Sequence, residues 1–209
     1  GIRSMDDEYL IGLRTICDES SIVLQFDEVQ TGLGRTGKLY SYEWSGVKPD
    51  ILSSAKGLGG GFPIGATLAT ERIAAAMKPG THGSTFGGNP LAAACANAVL
   101  DIILGEGFLD HVNRISALLW SELETLIAKY PEQLAGIRGK GLMLGLQCRS
   151  EEIEAGTLVS KANTLGLLSV PAGDNVMRLI PPLIIQDKHV SEAVRILDQS
   201  LAEITAKAS

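Results

Sequence analysis

The stretch formed by residues 50–63 constrains the fold of this chain more than any other. A short apolar run, Ile51–Ser54, precedes Lys56, and four glycines occupy the next five positions. Glycine has no side chain, so the backbone around the lysine can pass close to a ligand. A second apolar run covers residues 64–69, and the connection between the runs is too short for a helical crossover. The two runs are therefore predicted to be antiparallel strands, although a lysine in a glycine-rich turn more often points to water.

The composition argues against several classes of protein. The chain has 209 residues, is 45% hydrophobic and carries a net charge of −6, so a sizeable core is expected. Its acidic balance, without a lysine- or arginine-rich cluster, argues against nucleic-acid and membrane-surface partners. No apolar run reaches the roughly 18–20 residues of a membrane span, and no secretory signal is visible. Three widely spaced cysteines without metal-ligand spacing predict reduced thiols in a cytosolic, metal-free protein: Cys17, Cys95 and Cys148.

Periodic patterns predict alternating helices and strands in the first half of the chain. Apolar residues at helical spacing predict a helix at residues 5–18, and Ser4 with Asp7 resembles a capping box. The run at residues 22–26 predicts a strand that is buried on both faces. Further helices are expected at residues 71–77 and 90–104.

The second half continues this alternation after a long helix. Apolar residues at helical spacing predict that helix from Leu109 to a stop at Pro131. Three strands are predicted at residues 142–147, 167–170 and 176–180, and two helices at residues 151–165 and 187–206. Strands interleaved with helices indicate an α/β or α+β unit. A domain boundary is expected near residues 105–107.

Residues 32–37 match the G-x-G-x-x-G pattern of dinucleotide-binding loops, and with Lys38 they nearly match a phosphate-binding loop. A dinucleotide site needs its first glycine directly after a strand and a helix behind the last glycine. Here four residues separate Asp27 from Gly32, and Leu39 stands where a phosphate-binding loop needs serine or threonine. Both nucleotide-binding interpretations are therefore disfavoured.

Asp27 directly follows the predicted strand at residues 22–26, where a carboxylate is costly unless a cation or hydrogen-bond donors meet it. Aspartate most often serves there as a turn former or helix cap. The alternative is that two adjacent strand ends present Asp27 and Lys56 to one pocket. A lysine amine can form an imine, and an aspartate can hold a protonated ring nitrogen. A pyridoxal phosphate site requires this pairing.

Residues 80–90 combine hydroxyls, glycines and backbone amides just ahead of a predicted helix, an arrangement suited to anion binding. A flexible loop that ends in a cap at Asn89, with Pro90 as the first helical residue, explains the same segment. The residues alone leave both interpretations open.

Three segments together resemble the signatures of class III, ornithine-type aminotransferases: Phe26-Asp27-Glu28-Val29-Gln30-Thr31-Gly32, Ser54-Ala55-Lys56 with its glycines, and Gly83-Ser84-Thr85-Phe86-Gly87-Gly88-Asn89-Pro90. Residues 34–38, 46–50 and 178–183 support the resemblance, which runs over nearly the whole chain. It implies the α/β architecture of fold-type I pyridoxal phosphate-dependent transferases. Residues 1–106 would form part of the large mixed-sheet cofactor domain, and residues 107–209 the small C-terminal α/β domain, joined by the long helix.

The resemblance also implies roles around a pyridoxal 5'-phosphate cofactor. Lys56 would bind the cofactor covalently and move a proton between substrate and cofactor. Asp27 would pair with the ring nitrogen, Gln30 would hydrogen-bond the phenolic oxygen, and Val29 would pack on the ring. Thr85 would hold the phosphate of the neighbouring subunit's cofactor in a homodimer.

Three further residues receive roles from the same resemblance. Glu28, within the first motif, counts among the cofactor-binding residues, and Ser84 would lie near the neighbouring subunit's substrate. Arg178 would clamp a substrate carboxylate, for which a guanidinium is chemically suited. Without the resemblance, Arg178 would be an ordinary surface arginine at a strand end.

The implied reaction is transfer of an amino group from N-acetylornithine to 2-oxoglutarate, a step of arginine biosynthesis in the cytoplasm. Succinylornithine, ornithine and 4-aminobutyrate are alternative donors. Family members carry a long region before the segment that Gly1-Ile2-Arg3 resembles, and this chain shows no initiator methionine. It is therefore expected to be the C-terminal portion of a longer enzyme. A further alternative is a non-catalytic fragment.

Overall fold

The computed structural model describes residues 1–149 and 152–208. The chain divides into two compact units: Met5–Leu109, and Gly1–Ser4 together with the chain from Asp110 onward. The division lies a few residues beyond the boundary expected at residues 105–107. The assignment of the two halves to a large and a small domain of a longer enzyme stays a prediction.

The first unit contains a three-stranded mixed sheet and three helices. In chain order they are α1 (Asp7–Glu19), β1 (Gln25–Asp27), β2 (Ile51–Ser54), β3 (Ala66–Ala69), α2 (Glu71–Ala74) and α3 (Pro90–Ile103). The central strand β2 pairs in parallel with β1 and antiparallel with β3. The antiparallel pairing predicted from the short connection after β2 is confirmed.

The strand predicted at residues 22–26 is wrong in its extent and its burial. Only Gln25–Asp27 forms a strand, and the side chains of Ile22 and Val23 are 55% and 42% exposed. Within the described residues β1 lies at the edge of its sheet and pairs with β2 alone. An apolar run shows only that burial would be favourable; the layer that buries it must come from elsewhere in the fold.

The helix ends show one wrong and one confirmed capping prediction. Because α1 begins at Asp7, with Asp6 as the preceding cap residue and no side-chain capping bond, the capping box expected from Ser4 is wrong. Asn89 does cap α3, since its Oδ1 accepts a hydrogen bond from the backbone N–H of Ala92 at 2.9 Å. Such a cap contributes about 1 kcal/mol.

The described residues of the second unit form α4 (Phe108–Lys129), β4 (Leu134–Lys140), β5 (Met143–Cys148), α5 (Ala155–Thr164), β6 (Val170–Ala172), β7 (Val176–Leu179) and α6 (Asp187–Ala208). The four strands make an antiparallel sheet with strand order β4-β5-β7-β6. The sequence did not predict β4, because two glycines and two charged residues interrupt its apolar pattern. The helix predicted at residues 151–165 begins at Ala155, and its first predicted residue lies outside the described ones.

A hydrophobic core occupies the second unit. Its fully buried side chains come from every long element: Ile115, Leu123, Leu134, Leu142, Leu144, Leu146, Leu158, Met177, Leu197 and Leu201. Burying one such side chain stabilises a fold by about 1.5–3 kcal/mol. Residues 1–4 belong to this unit because Ile2 lies against Gly145, where an added Cβ would meet it at 3.3 Å.

The cysteines predicted to be reduced thiols are free within the described chain. Cys17 and Cys148 are buried and Cys95 is half-buried. Burial raises the pKa of Cys148 to about 11, so its sulfur stays protonated at neutral pH. None of the described helices is by itself long and apolar enough to cross a membrane; α3 and α4 meet that criterion only as a bent pair, by length and composition.

Candidate active site

The parallel pairing of β1 and β2 determines where Asp27 and Lys56 lie. Asp27 pairs in register with Ser53, and both strands run toward the same edge of the sheet. Lys56 follows two residues after β2 ends, at the start of a 3₁₀ turn, Lys56–Gly59. We call this end of the pair the carboxyl edge. The carboxyl ends of parallel strands are where open α/β sheets bind ligands.

Lys56 adopts an unusual backbone conformation with φ of +49°. This left-handed region costs a residue with a side chain on the order of 1 kcal/mol or more, and glycine would avoid that cost. The turn is held by the N–H of Leu58, which donates to the carbonyl of Ala55 at 3.1 Å. The Lys56 side chain is exposed and makes no hydrogen bond or ion pair with any described residue. Strain at a residue with an unpaired amine is typical of a functional position.

Asp27 is exposed at the same edge, and its carboxylate is only partly satisfied. Its Oδ1 accepts a hydrogen bond from the backbone N–H of Val29 at 3.0 Å, which is a turn-forming contact. Its other oxygen bonds to none of the described residues, and no ion pair joins it to Lys56. The structure therefore brings the acid and the amine to one edge and leaves both available to a ligand.

Glu28 is occupied in a different way from its neighbour. It is buried, and its two carboxylate oxygens accept hydrogen bonds from the N–H of Tyr42, at 2.8 Å, and from the hydroxyl of Thr31. Its own N–H donates to the carbonyl of Ser53 at 2.9 Å. Within the chain, Glu28 therefore fastens the loop after β1. Gln30, two residues further along that loop, is half-buried, and its amide bonds to no described residue.

The glycine-rich loop at residues 32–37 packs closely and does not open a helix. A Cβ at Gly32 would lie 2.8 Å from the ring of Tyr40 and from the carbonyl of Glu28, so only glycine fits there. The loop leads to a 3₁₀ turn at Ser41–Glu43. A dinucleotide-binding loop would be followed by a helix, so this geometry agrees with rejecting that interpretation.

Ser84 and Thr85 lie in an exposed loop ahead of α3. The hydroxyl of Ser84 accepts a hydrogen bond from the N–H of Gly87 at 3.0 Å, while the Thr85 hydroxyl has no partner among the described residues. Phe86, beside them, is 81% exposed. Contact of this loop with a neighbouring subunit's cofactor stays a prediction.

Arg178 lies on β7 in the second unit, between Gly145 of β5 and Val170 of β6. It lines an apolar cavity of about 530 Å³, and its Nε is buried without a hydrogen-bond partner. Ser169 lines the same cavity, and its hydroxyl is also buried and unpaired. Buried polar atoms are normally satisfied, so a carboxylate ligand is a chemically suitable partner for the guanidinium. Ser169 was not predicted as a site residue, because its only signal in the sequence is a hydroxyl within an apolar run.

Comparison with known proteins identifies the class of protein that combines these features. The family described as aminotransferase class-III matches this chain over residues 1–201, so the chain belongs to that family. The solved structures that it resembles have the fold-type I architecture, so the predicted fold class is confirmed.

Two curated relatives that the chain resembles are named acetylornithine aminotransferases. The chain is 48% identical over 206 residues to acetylornithine aminotransferase 1 of Bradyrhizobium diazoefficiens, covering 99% of the chain and 50% of the relative. It is 50% identical over 194 residues to the acetylornithine aminotransferase of Mesorhizobium japonicum, covering 93% and 48%. The chain therefore spans about half the length of the curated relatives it matches.

Solved structures that resemble this chain are also aminotransferases. The acetylornithine aminotransferase of Elizabethkingia anophelis superposes with a TM-score of 0.86 at 37% identity, covering 95% of this chain and 50% of that one. The ornithine aminotransferase of Plasmodium yoelii superposes with a TM-score of 0.88 at 34% identity, covering 95% and 53%.

The residues at the carboxyl edge fit the ring end of pyridoxal phosphate, the cofactor of this family. The Lys56 amine and one oxygen of the Asp27 carboxylate have no partner within the described chain, and both belong to the edge where a ring could lie. The Gln30 amide, in the adjoining loop, is likewise unpaired. Lys56 thus offers an amine for attachment, Asp27 an acid and Gln30 a hydrogen-bonding group.

Proposed function

We propose that this chain provides the lysine-bearing half of a pyridoxal phosphate-dependent aminotransferase that acts on N-acetylornithine and 2-oxoglutarate. The observation that carries the proposal is the partly unsatisfied Asp27 carboxylate together with the unpaired Lys56 amine at the carboxyl edge of β1 and β2. The choice of donor is supported by the 48% identity to a relative named acetylornithine aminotransferase. The whole enzyme would serve arginine biosynthesis in the cytoplasm.

The chemical roles follow from what each side chain can do. The cofactor, when bound, draws electrons away from the Cα of the substrate amine. The Lys56 amine would bind the cofactor covalently at its carbonyl carbon. Once free of the cofactor, the same amine would carry a proton to and from that Cα. The Asp27 carboxylate would keep a proton on the ring nitrogen, and Gln30 would donate to the phenolic oxygen. Val29 would pack on the ring, and Glu28 would hold the loop that orients these groups.

Substrate and subunit contacts complete the proposal. Arg178 would bind a substrate carboxylate, since its buried Nε lacks a partner and a guanidinium pairs well with that group. Thr85 would bind the phosphate of a neighbouring subunit's cofactor, and Ser84 would lie near that subunit's substrate. Their exposure on a loop with an 81% exposed phenylalanine agrees with contact to a second subunit in a homodimer.

The experiment that tests the proposal uses a chimera in which this chain replaces the 206 matched residues of the Bradyrhizobium enzyme. A folded chimera should transfer the amino group of N-acetylornithine to 2-oxoglutarate. Borohydride reduction should leave a pyridoxyl group on Lys56, which peptide mass spectrometry can locate. A folded chimera that neither attaches the cofactor nor turns over would contradict the proposal.

A second candidate donor is ornithine, because ornithine aminotransferases are among the structures with a TM-score of 0.88. Succinylornithine and 4-aminobutyrate are the other two alternative donors. Values of kcat/KM for the four amines, measured on the chimera, should be highest for N-acetylornithine. A higher value for another amine would replace the proposed donor while leaving the reaction class intact.

The remaining alternative is that the chain alone is not catalytic. Apolar side chains of the first unit are exposed at Leu68, Leu91 and Ile102, at 47%, 60% and 60%, and exposed apolar surface of this kind is typical of an interface. The isolated chain can be incubated with pyridoxal phosphate, reduced and analysed for a Lys56 adduct. Stoichiometric labelling together with turnover would rule this alternative out.

A further inference from the structure

Asp50 lies at the opposite end of β1 and β2 from the candidate site, which we call the amino edge. Its carboxylate accepts hydrogen bonds from the N–H of Leu24 at 2.9 Å, Arg14 at 2.9 Å and Arg72 at 3.0 Å. Its backbone N–H donates to the Leu24 carbonyl at 2.8 Å, and its carbonyl accepts from Thr70 at 2.9 Å. One residue that is 9% exposed therefore joins α1, β1, β3 and α2 to the start of β2.

These bonds lie at the start of the parallel pair. Leu24 and Asp50 each immediately precede a strand, and the first pair in register is Gln25 with Ile51. Both backbone groups of Leu24 bond to Asp50, one through the side chain and one through the backbone. The paired segment is only three residues long, so its own ladder contributes few hydrogen bonds. A slip of one residue would displace one strand by about 3.3 Å along the other.

The same register sets the position of the reactive groups. Asp27 is two residues beyond Gln25 on β1, and Lys56 follows β2 across the same pair. A displacement of β1 along β2 would therefore move the acid relative to the amine by the full amount. Catalytic groups lose much of their effect when misplaced by about 1 Å.

We propose that Asp50 is a positioning residue, which holds β1 in register with β2 from the amino edge and so sets the spacing of Asp27 and Lys56. This inference rests on the proposed function for its catalytic consequence but not for its structural one. The competing account is purely local: Asp50 would anchor α1 and α2 without affecting the far end of the strands.

A matched pair of variants separates these accounts. Asp50→Asn keeps the shape of the side chain but removes its charge and one acceptor oxygen. Asp18→Asn removes the other carboxylate that pairs with Arg14, at 2.7 Å, but the side chain of Asp18 is 67% exposed and belongs to α1. Both substitutions change one aspartate that pairs with Arg14, and they differ in the bond to Leu24 and in the Arg72 ion pair, which only Asp50 makes.

Amide hydrogen exchange on the 209-residue chain reports how stable the hydrogen bonds are at each edge. The N–H of Ile51 donates to Leu24 at the amino edge, and the N–H of Glu28 donates to Ser53 at the carboxyl edge. Asp50→Asn should accelerate exchange at both amides by roughly tenfold or more, since hydrogen bonds to charged groups are among the stronger ones. Asp18→Asn should change neither by more than about twofold. Faster exchange at Ile51 with unchanged exchange at Glu28 would overturn the proposal.

A milder variant covers the case in which Asp50→Asn does not fold. The side chain of Arg72 is 69% exposed, so Arg72→Gln removes one donor from Asp50 at little cost to packing. It should accelerate exchange at Glu28 several-fold. An unchanged rate at Glu28 in this variant would also overturn the proposal.

The chimera adds a catalytic readout that a local role would not produce. Asp50→Asn should lower kcat at least tenfold, leave KM for N-acetylornithine within about twofold, and slow attachment of pyridoxal phosphate to Lys56. Asp50→Glu, which restores the charge, should recover part of kcat. If the unmodified chimera shows no transamination, the proposed function fails, while the exchange rates at Glu28 still decide the role of Asp50. Equal loss of kcat in Asp18→Asn would contradict positioning by Asp50.

Discussion

The two edges of the β1–β2 pair carry carboxylates in opposite situations. At the amino edge, Asp50 is buried and accepts hydrogen bonds from a backbone amide and two guanidinium groups. At the carboxyl edge, Asp27 is exposed with one backbone bond, and Lys56 has no partner in the described part of the chain. Buried charges that hold a fold are satisfied internally, whereas a ligand site keeps polar groups for its ligand. The difference distinguishes Asp50, a carboxylate that stabilises the fold, from Asp27, a carboxylate that is available to a ligand, at opposite ends of the same two strands.

The largest expected effect comes from Lys56→Ala in the chimera. Loss of the amine removes both cofactor attachment and proton transfer at the substrate Cα, so kcat should fall by roughly 10³-fold or more. The borohydride-stable adduct should disappear from the peptide mass spectrum. Lys48→Ala, which removes another exposed lysine of the same unit, should keep kcat within about twofold. Normal turnover without the Lys56 amine would place the chemistry elsewhere.

Asp27→Asn should have the next largest effect and a different signature. A neutral amide does not hold the ring nitrogen protonated, so kcat should fall by roughly 10²-fold while the adduct at Lys56 still forms. Asp101→Asn, on an exposed position of α3, provides the matched control. If Asp27→Asn retains full activity, Asp27 is only a turn former and the two edges do not differ in kind.

Acid should weaken the amino edge in a predictable direction. The hydrogen bond from Leu24 first, and the guanidinium of Arg14 second, hold the pKa of Asp50 below its usual value. A depressed folded pKa contributes stability that is complete above the unfolded pKa of about 4 and is lost as pH falls through the folded pKa. In urea unfolding the wild type should therefore exceed Asp50→Asn in stability at pH 7, and the two should converge only below about pH 4. A constant difference at all pH values would show that the lost acceptor oxygen, not the charge, accounts for the difference in stability.

The smallest effect concerns the strained backbone at the carboxyl edge. Because Lys56 has a φ of +49°, Lys56→Gly should be more stable than Lys56→Ala by about 1 kcal/mol. Both variants should lack the cofactor adduct. The free energy of unfolding from urea titration gives the comparison, with Lys48→Gly against Lys48→Ala as the reference pair. If glycine is no better than alanine at position 56, the turn stores no strain.

Local patterns in the sequence predicted much of the fold. Helical spacing identified α3, α4 and α6 to within a few residues, and the short connection after β2 correctly implied an antiparallel neighbour. The cap at Asn89 followed from its own residue type and the proline after it. These features depend on residues only a few positions apart, so the sequence of one short segment is enough to predict each of them. The pattern failed at β4, where glycines and charges interrupt the alternation but pairing with β5 compensates.

The candidate site was predictable to a similar extent. Lys56 and Asp27 were identified from a glycine-rich turn and from a carboxylate after an apolar run, and the structure brings both to one edge. The burial of Glu28 was not predictable, because its partners include an amide 14 residues along the chain. The same holds for the buried hydroxyl of Ser169, because the cavity around it is lined by residues distant in the chain, among them Leu119 and Ile185.

The sequence by itself determined the acid, the lysine, the glycines around them and the family that this combination resembles. Only the tertiary structure decided that Asp50 and Leu24, 26 residues apart, bond to each other and align the strands that carry the reactive groups. It also decided that Ile22 and Val23 remain exposed despite their apolar character. The physical reason is common to both results. Residue type sets what a group can bind or bury, whereas the partner that satisfies it is supplied by segments distant in the chain.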